Sequence, residues 1–127
     1  MYQLNEKVAN LFRSTRNCAF STNGEYPNTI IVMFRELRDD GVIVLYDVFM
    51  NHTLENLARD PHASLVINEG LEGYQIKGTA RWTDDPALVA AGNAMTSKAN
   101  LKTKGAVLFT PETAEVLTPG PDVGKVL

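Results

Sequence analysis

The chain has 127 residues and a mass of 14.0 kDa, which is room for one domain and not for two. Hydrophobic residues make up 44%, enough to build a core without disulfide or metal, and neither is offered by one cysteine (Cys18) and two histidines. Twelve basic against fifteen acidic residues give a net charge of −3, which argues against a nucleic-acid surface built on bulk positive charge but leaves room for a locally held small anion.

The apolar runs at 30–34, 42–46 and 87–91 are far shorter than the roughly eighteen residues that a membrane helix needs. The first residues lack the charged-then-apolar pattern of a secretory leader, so a cytoplasmic, reducing setting is the expectation. No repeat or low-complexity tract interrupts the chain, which predicts one unit over 1–127.

Leu4, Val8, Leu11, Phe12 and Thr15 recur at three- and four-residue spacing and predict a short amphipathic helix. An extended run at 17–22 meets a turn at Asn23-Gly24. After Pro27, the β-branched stretch 28–34 predicts a single buried strand. Asp39-Asp40-Gly41 is a second turn and 42–47 a third strand, and connections this short make the three an antiparallel meander.

The period then changes. Residues 52–59 place Leu54, Leu57 and Ala58 on one side of a two-turn helix that stops at Asp60-Pro61. Strands follow at 63–68 and 74–82, separated by a loop with two glycines. Asp84-Asp85-Pro86 starts a helix over 86–99, whose small residues Ala87, Ala90, Ala91 and Ala94 suit close packing. Runs at 106–110 and 114–117 predict two final strands. Six or seven strands with short helices between them point to a β-barrel of the α+β kind.

Most chemical signatures are absent. His52 and His62 have no acidic or cysteine partner at ligand spacing, no nucleophile arrangement surrounds Cys18, and no glycine-rich phosphate loop of the Walker or dinucleotide type occurs. One junction stands out, where a strand ending at Tyr46-Asp47 runs into the first turn of a helix at Asn51-His52-Thr53. Free backbone N–H groups, the helix dipole, an amide, an imidazole and a hydroxyl suit a phosphate there. The same residues also suit plain capping of the helix by Asn51.

Four pieces of the chain together resemble the pyridoxamine 5′-phosphate oxidase-like, FMN-binding split-barrel family, and most closely its short flavin-nucleotide-binding members. They are Pro27-Asn28, Asp39-Asp40-Gly41, the stretch from Asp47-Val48-Phe49-Met50-Asn51-His52-Thr53 to Leu57, and Gly73-Tyr74-Gln75-Ile76-Lys77-Gly78-Thr79-Ala80. The tail Leu117-Thr118-Pro119-Gly120-Pro121 is similar to the C-terminus of one subgroup. The resemblance implies a mainly β, six-stranded antiparallel split β-barrel of Greek-key type with short flanking helices. It also implies a homodimer with FMN in clefts between the subunits. Carried over residue by residue, Asn51, His52 and Thr53 fall on the phosphate segment. Val48, Phe49 and Met50 lie along the isoalloxazine and ribityl chain, and Asn28, Thr29 and Ile30 face the same cleft. Gln75 and Lys77 border the partner's flavin, or else stand on an exposed strand face.

The family usually has lysine or arginine where this chain has His52. An imidazole is shorter and only partly charged at pH 7. Loss of a charge-assisted contact, about 1.5–3 kcal/mol, weakens binding roughly ten- to a hundredfold unless a residue such as Arg35, Lys102 or Lys104 compensates. The implied function is an FMN flavoprotein, a small oxidoreductase or electron carrier served by NAD(P)H or a protein donor. No acid or base for true pyridoxamine phosphate oxidation is evident, and the catalytic residues stay unassigned. The alternatives are a non-catalytic flavin store or sensor, or a split barrel using haem or a deazaflavin.

Overall fold

A computed structural model describes residues 2–127. The elements in chain order are α1 (Glu6–Ser14), β1 (Asn17–Thr22), β2 (Asn28–Ile31), β3 (Arg35–Leu37), β4 (Ile43–Asp47), α2 (Asn51–Arg59), β5 (His62–Glu69), β6 (Glu72–Thr83), α3 (Pro86–Thr96) with a 3₁₀ turn at Ser97–Ala99, and β7 (Gly105–Val116). All seven strands form one antiparallel sheet in the order β2-β1-β5-β6-β7-β4-β3.

That order forces the sheet to curl. Lying flat, seven strands at about 4.8 Å spacing would hold β2 and β3 about 29 Å apart. Only Val32, Met33 and Phe34 join them, and the four steps from Ile31 to Arg35 span at most about 14 Å. The two ends of the sheet are therefore one bent passage of chain. Its first half pairs with β1, and the Val32 N–H still donates to Cys18 O at 2.9 Å. Its second half pairs with β4, and Phe34 O accepts from the Tyr46 N–H at 2.9 Å. This is the half-barrel of a split barrel, with seven strands in place of the six expected. The strand expected over 28–34 ends early, at Ile31, and the extra strand forms beyond it at Arg35–Leu37, once the chain has changed partner.

The interior is filled by Phe20, Ile43, Leu45, Leu65, Ile67, Ile76 and Phe109, with the rings of Phe20 and Phe109 edge to face at 5.8 Å. Val8, Leu11 and Phe12 of α1 and Leu57 of α2 join the same cluster. Asn5 caps α1 by accepting from the Lys7 N–H. Strand β4 is buried on both faces, which explains its unbroken apolar run. Ile43 and Leu45 face the interior, while Val44 and Tyr46 lie against Leu88, Ala91 and Met95 of α3. The contact face of α3 is thus not the alanine face. Ala87, Ala90 and Ala94 are exposed, and the close approach is made by Gly92, where a Cβ would stand 2.7 Å from Tyr46.

The two final strands expected at 106–110 and 114–117 are one strand, β7. It passes Pro111 through a bulge opposite Lys77 and Gly78, so the missing proline N–H does not end the pairing. Gly78 allows that bulge, because a Cβ there would lie 2.0 Å from Thr110 O. Beyond β7 the tail folds back: Glu115 bridges to Val126, and the Leu127 N–H donates to Ala114 O.

Candidate functional site

Strand β4 ends at Asp47 and α2 begins at Asn51, so the link is only Val48, Phe49 and Met50. The Asp47 side chain, 2% exposed, clamps that link from within. Its Oδ1 accepts from the Met50 N–H at 2.9 Å, and its Oδ2 accepts from Trp82 Nε1–H at 3.0 Å. The Asp47 carbonyl accepts from the Lys104 N–H at 2.8 Å, which ties the start of β7 to the same point. Trp82 sits there because Gly105 has no side chain; a Cβ at Gly105 would meet the indole at 2.6 Å.

The turn that results has no side-chain cap. Met50, with its side chain buried, takes the N-cap position, and Asn51 is the first helical residue, so plain capping by Asn51 is not what this residue does. The first N–H to bond inside α2 is that of Leu54, to Met50 O. The N–H groups of Asn51, His52 and Thr53 have no partner among the described residues, and no acidic residue lies in the first turn. Thr53 is buried, and its Oγ1 accepts from Asn28 Nδ2 at 3.2 Å, which leaves the hydroxyl hydrogen free to donate. Three open N–H groups, a hydroxyl and the positive end of a nine-residue helix therefore converge at one turn.

Asn28, Val48, Phe49, Met50, Asn51, His52 and Thr53 are brought together by this junction. Val48 and Met50 are buried, whereas the Phe49 ring is exposed with Lys104 Nζ 5.5 Å from its centroid. The His52 side chain is 82% exposed, and Glu55 Oε2 lies 3.6 Å from its Nδ1. The β2 residues divide by strand alternation. Asn28 and Ile30 share the inner side, with Ile30 against the core, while Thr29 points outward to Ser21 Oγ at 2.8 Å. Gln75 and Lys77 also stand on the outer face, alternating with buried Ile76. Lys77 binds Glu115 at 2.8 Å, and neither residue hydrogen-bonds to the α2 turn.

The candidate compensating cations separate clearly. Arg35 is structural: its guanidinium lies 5.0 Å from the Phe12 ring centroid and donates to the carbonyls of Phe12, Thr15 and Val32, closing the C-terminal end of α1. Lys102 is exposed and has no side-chain partner among the described residues. Lys104 alone of the three contacts the site. His62 is held by Asp60, whose carboxyl is pulled below the usual range by hydrogen bonds from the His62 N–H, the His62 ring and Asn23. Burial pushes the Cys18 thiol up to about 11, although Arg35 opposes the shift, which makes it an inert core thiol. Among the described residues no group of three histidine, cysteine or acidic side chains could hold a metal.

For two residues that the sequence offers, Asp47 and Lys104, local pattern does not show the contacts they make. Nothing in the β4 pattern marks Asp47 as a clamp, because one of its donors is Trp82, thirty-five residues on. Lys104 lies in a polar stretch without periodicity.

A curled antiparallel sheet with an uncapped helix turn at the end of a central strand defines a split-barrel protein. Residues 4–118 match the pyridoxamine 5′-phosphate oxidase family, and the chain belongs to that family. An uncharacterized protein of Methanocaldococcus jannaschii is 32% identical over 92 residues, which is 70% of this chain and 62% of that protein. The chain thus spans less than two-thirds of the length of that relative. Among solved structures, HupZ of Group A Streptococcus is similar with a TM-score of 0.80 at 17% identity, covering 96% of this chain and all of the other. An FMN-binding protein of Syntrophomonas wolfei superposes with a TM-score of 0.75 at 14% identity, over 88% of this chain and 84% of the other. A protein of Clostridium acetobutylicum related to general stress protein 26, of the pyridoxinephosphate oxidase family, gives 0.71 at 21% identity, over 98% and 94%. At these identities the likeness is one of fold. No described helix is long and apolar enough to cross a membrane.

Proposed function

We propose that this protein binds FMN at the start of α2 and works as a small flavin-dependent oxidoreductase or electron carrier, as a homodimer in the cytoplasm. The observation that carries the reading is the uncapped turn: the N–H groups of Asn51, His52 and Thr53, with the Thr53 hydroxyl, form a donor set that fits a phosphate and that no group among the described residues fills. The family to which the chain belongs and the fold it shares with an FMN-binding protein support the choice of ligand.

In this reading Asn28 fixes the Thr53 hydroxyl, and Asp47 fixes the Val48–Met50 link along which the rest of the cofactor lies. FMN, when bound, supplies hydride or electron transfer, and the protein supplies position and electrostatics. Ile31, Met33 and Phe49 are large apolar residues left exposed, and a second copy of the chain would shield them. Gln75 and Lys77, on the outer face, are the residues that would reach a partner's flavin. NAD(P)H or a protein donor would deliver the electrons.

The test is the visible spectrum of the purified protein incubated with FMN, with its mass in solution measured beside it. Flavin bands that stay with the protein through gel filtration, at about 28 kDa for two 14.0 kDa chains, support the reading. Protein that elutes without flavin refutes it. Addition of NADH or NADPH then separates turnover from storage or sensing, since a flavin that neither donor reduces excludes a nicotinamide-driven oxidoreductase.

A further inference from the structure

We propose that Lys104, not His52, supplies the formal positive charge for the flavin phosphate. This rests on the FMN reading above and concerns how this chain fills the place of its missing basic residue. An open helix turn offers partial charges only, while a flavin phosphate carries close to two negative charges at neutral pH. The residue at the turn itself is poorly placed to balance them, because the His52 ring is 82% exposed and lies 3.6 Å from the Glu55 carboxylate, which competes for it.

Lys104 approaches from the other side of the junction. Its backbone N–H is bonded to Asp47 O at 2.8 Å, so its Cα is fixed against the segment that leads into α2. Its Nζ lies 5.5 Å from the centroid of Phe49, two residues before the first open N–H. The ammonium makes no salt bridge among the described residues, and Phe49 is itself exposed, so the cation is held beside the link into α2 by a weak and replaceable contact. A lysine is a compact point charge on a flexible stem, suited to swinging a short distance from a ring to a phosphate. Arg35, another candidate cation, is committed to three backbone carbonyls and cannot serve.

The experiment compares FMN with riboflavin, which differ only in the phosphate, by titration against flavin fluorescence for wild type, Lys104→Gln, Lys104→Arg and His52→Gln. Circular dichroism and thermal melts of each variant confirm folding. Lys104→Gln is expected to weaken FMN roughly ten- to a hundredfold and leave riboflavin within about threefold. Lys104→Arg should recover most of the loss, His52→Gln should cost less than Lys104→Gln, and added salt should narrow the gap between wild type and Lys104→Gln. Unchanged FMN affinity in Lys104→Gln overturns the inference while the FMN reading stands. Equal loss of FMN and riboflavin also overturns it and assigns Lys104 to packing around Phe49. Wild-type protein that binds neither flavin overturns the inference together with the reading beneath it.

Discussion

Replacing Asp47 is the most direct test of how the junction is held. In Asp47→Ala the Met50 N–H and Trp82 Nε1–H both lose their acceptor. An unsatisfied buried donor costs about 1–3 kcal/mol, so two would cost roughly 2–6 kcal/mol without relaxation. Trp82 is 37% exposed, so water can reach its side of the clamp, and removing a buried carboxylate also gives some relief. The expected loss is therefore about 2–4 kcal/mol, a large part of the roughly 5–15 kcal/mol that stabilises a domain. Asp47→Asn keeps one acceptor oxygen for two donors and should fall between, at about 1–3 kcal/mol. Urea unfolding gives the numbers. Trp82 is the only tryptophan, so its fluorescence reports on the clamp itself, with far-UV circular dichroism as the global probe. The native-state emission of both variants should also shift, because the indole N–H has lost its charged acceptor. A change in Asp47→Ala below about 0.5 kcal/mol with unaltered emission would show that the clamp does not hold the link.

Three further outcomes follow from other parts of the structure. Gly78→Ala places a Cβ 2.0 Å from Thr110 O, a backbone atom that cannot rotate away, so a loss of about 1–3 kcal/mol or more is expected in a thermal melt, whereas Gly70→Ala brings its Cβ near no other atom. That control carries only the strain of its left-handed backbone. Asp60 has its folded-state pKa lowered, so its contribution is present above the unfolded value of about 3.9 and is lost as pH falls through the folded one; acid titration of stability should be shallower below about pH 4 in Asp60→Asn. Cys18, with its thiol pushed up to about 11 in the core, should resist a thiol reagent at pH 8 in native protein and react fully in urea; rapid native labelling would refute its placement.

Local rules carried the sequence reading a long way. The helical spacing of Leu4, Val8, Leu11 and Phe12, the turns at Asn23-Gly24 and Asp39-Asp40-Gly41, and the proline at Pro86 each depend on residues a few positions apart, and each element lies where those residues predict it. The family too was legible, because it rests on short motifs in a fixed order. The alanine face of α3 misled because small residues permit close packing without demanding it; Leu88 and Met95 had more apolar surface to bury, and Gly92 let the backbone come closer than any alanine.

What the sequence by itself determined about this protein is most of its helices and turns, its antiparallel class and the strand-to-helix junction at 47–53. The tertiary structure decided where elements change partner and which side chains meet. Residues 28–34 read as one strand, yet curling of the sheet makes the chain leave β1 after Ile31, bend at Val32–Phe34 and pair with β4 over Arg35–Leu37, adding a strand. The sequence reads two strands, 106–110 and 114–117, on either side of Pro111, but the glycine opposite it, far away in sequence, absorbs the bulge and one strand runs from Gly105 to Val116. Asp47 and Lys104 show the same division at the site. Each is an ordinary polar residue by local rules, and each acquires its part only when Trp82 and Phe49 are carried beside it across the barrel. Contacts between residues distant in the chain depend on closure of the whole sheet, and no periodicity or turn signal encodes them.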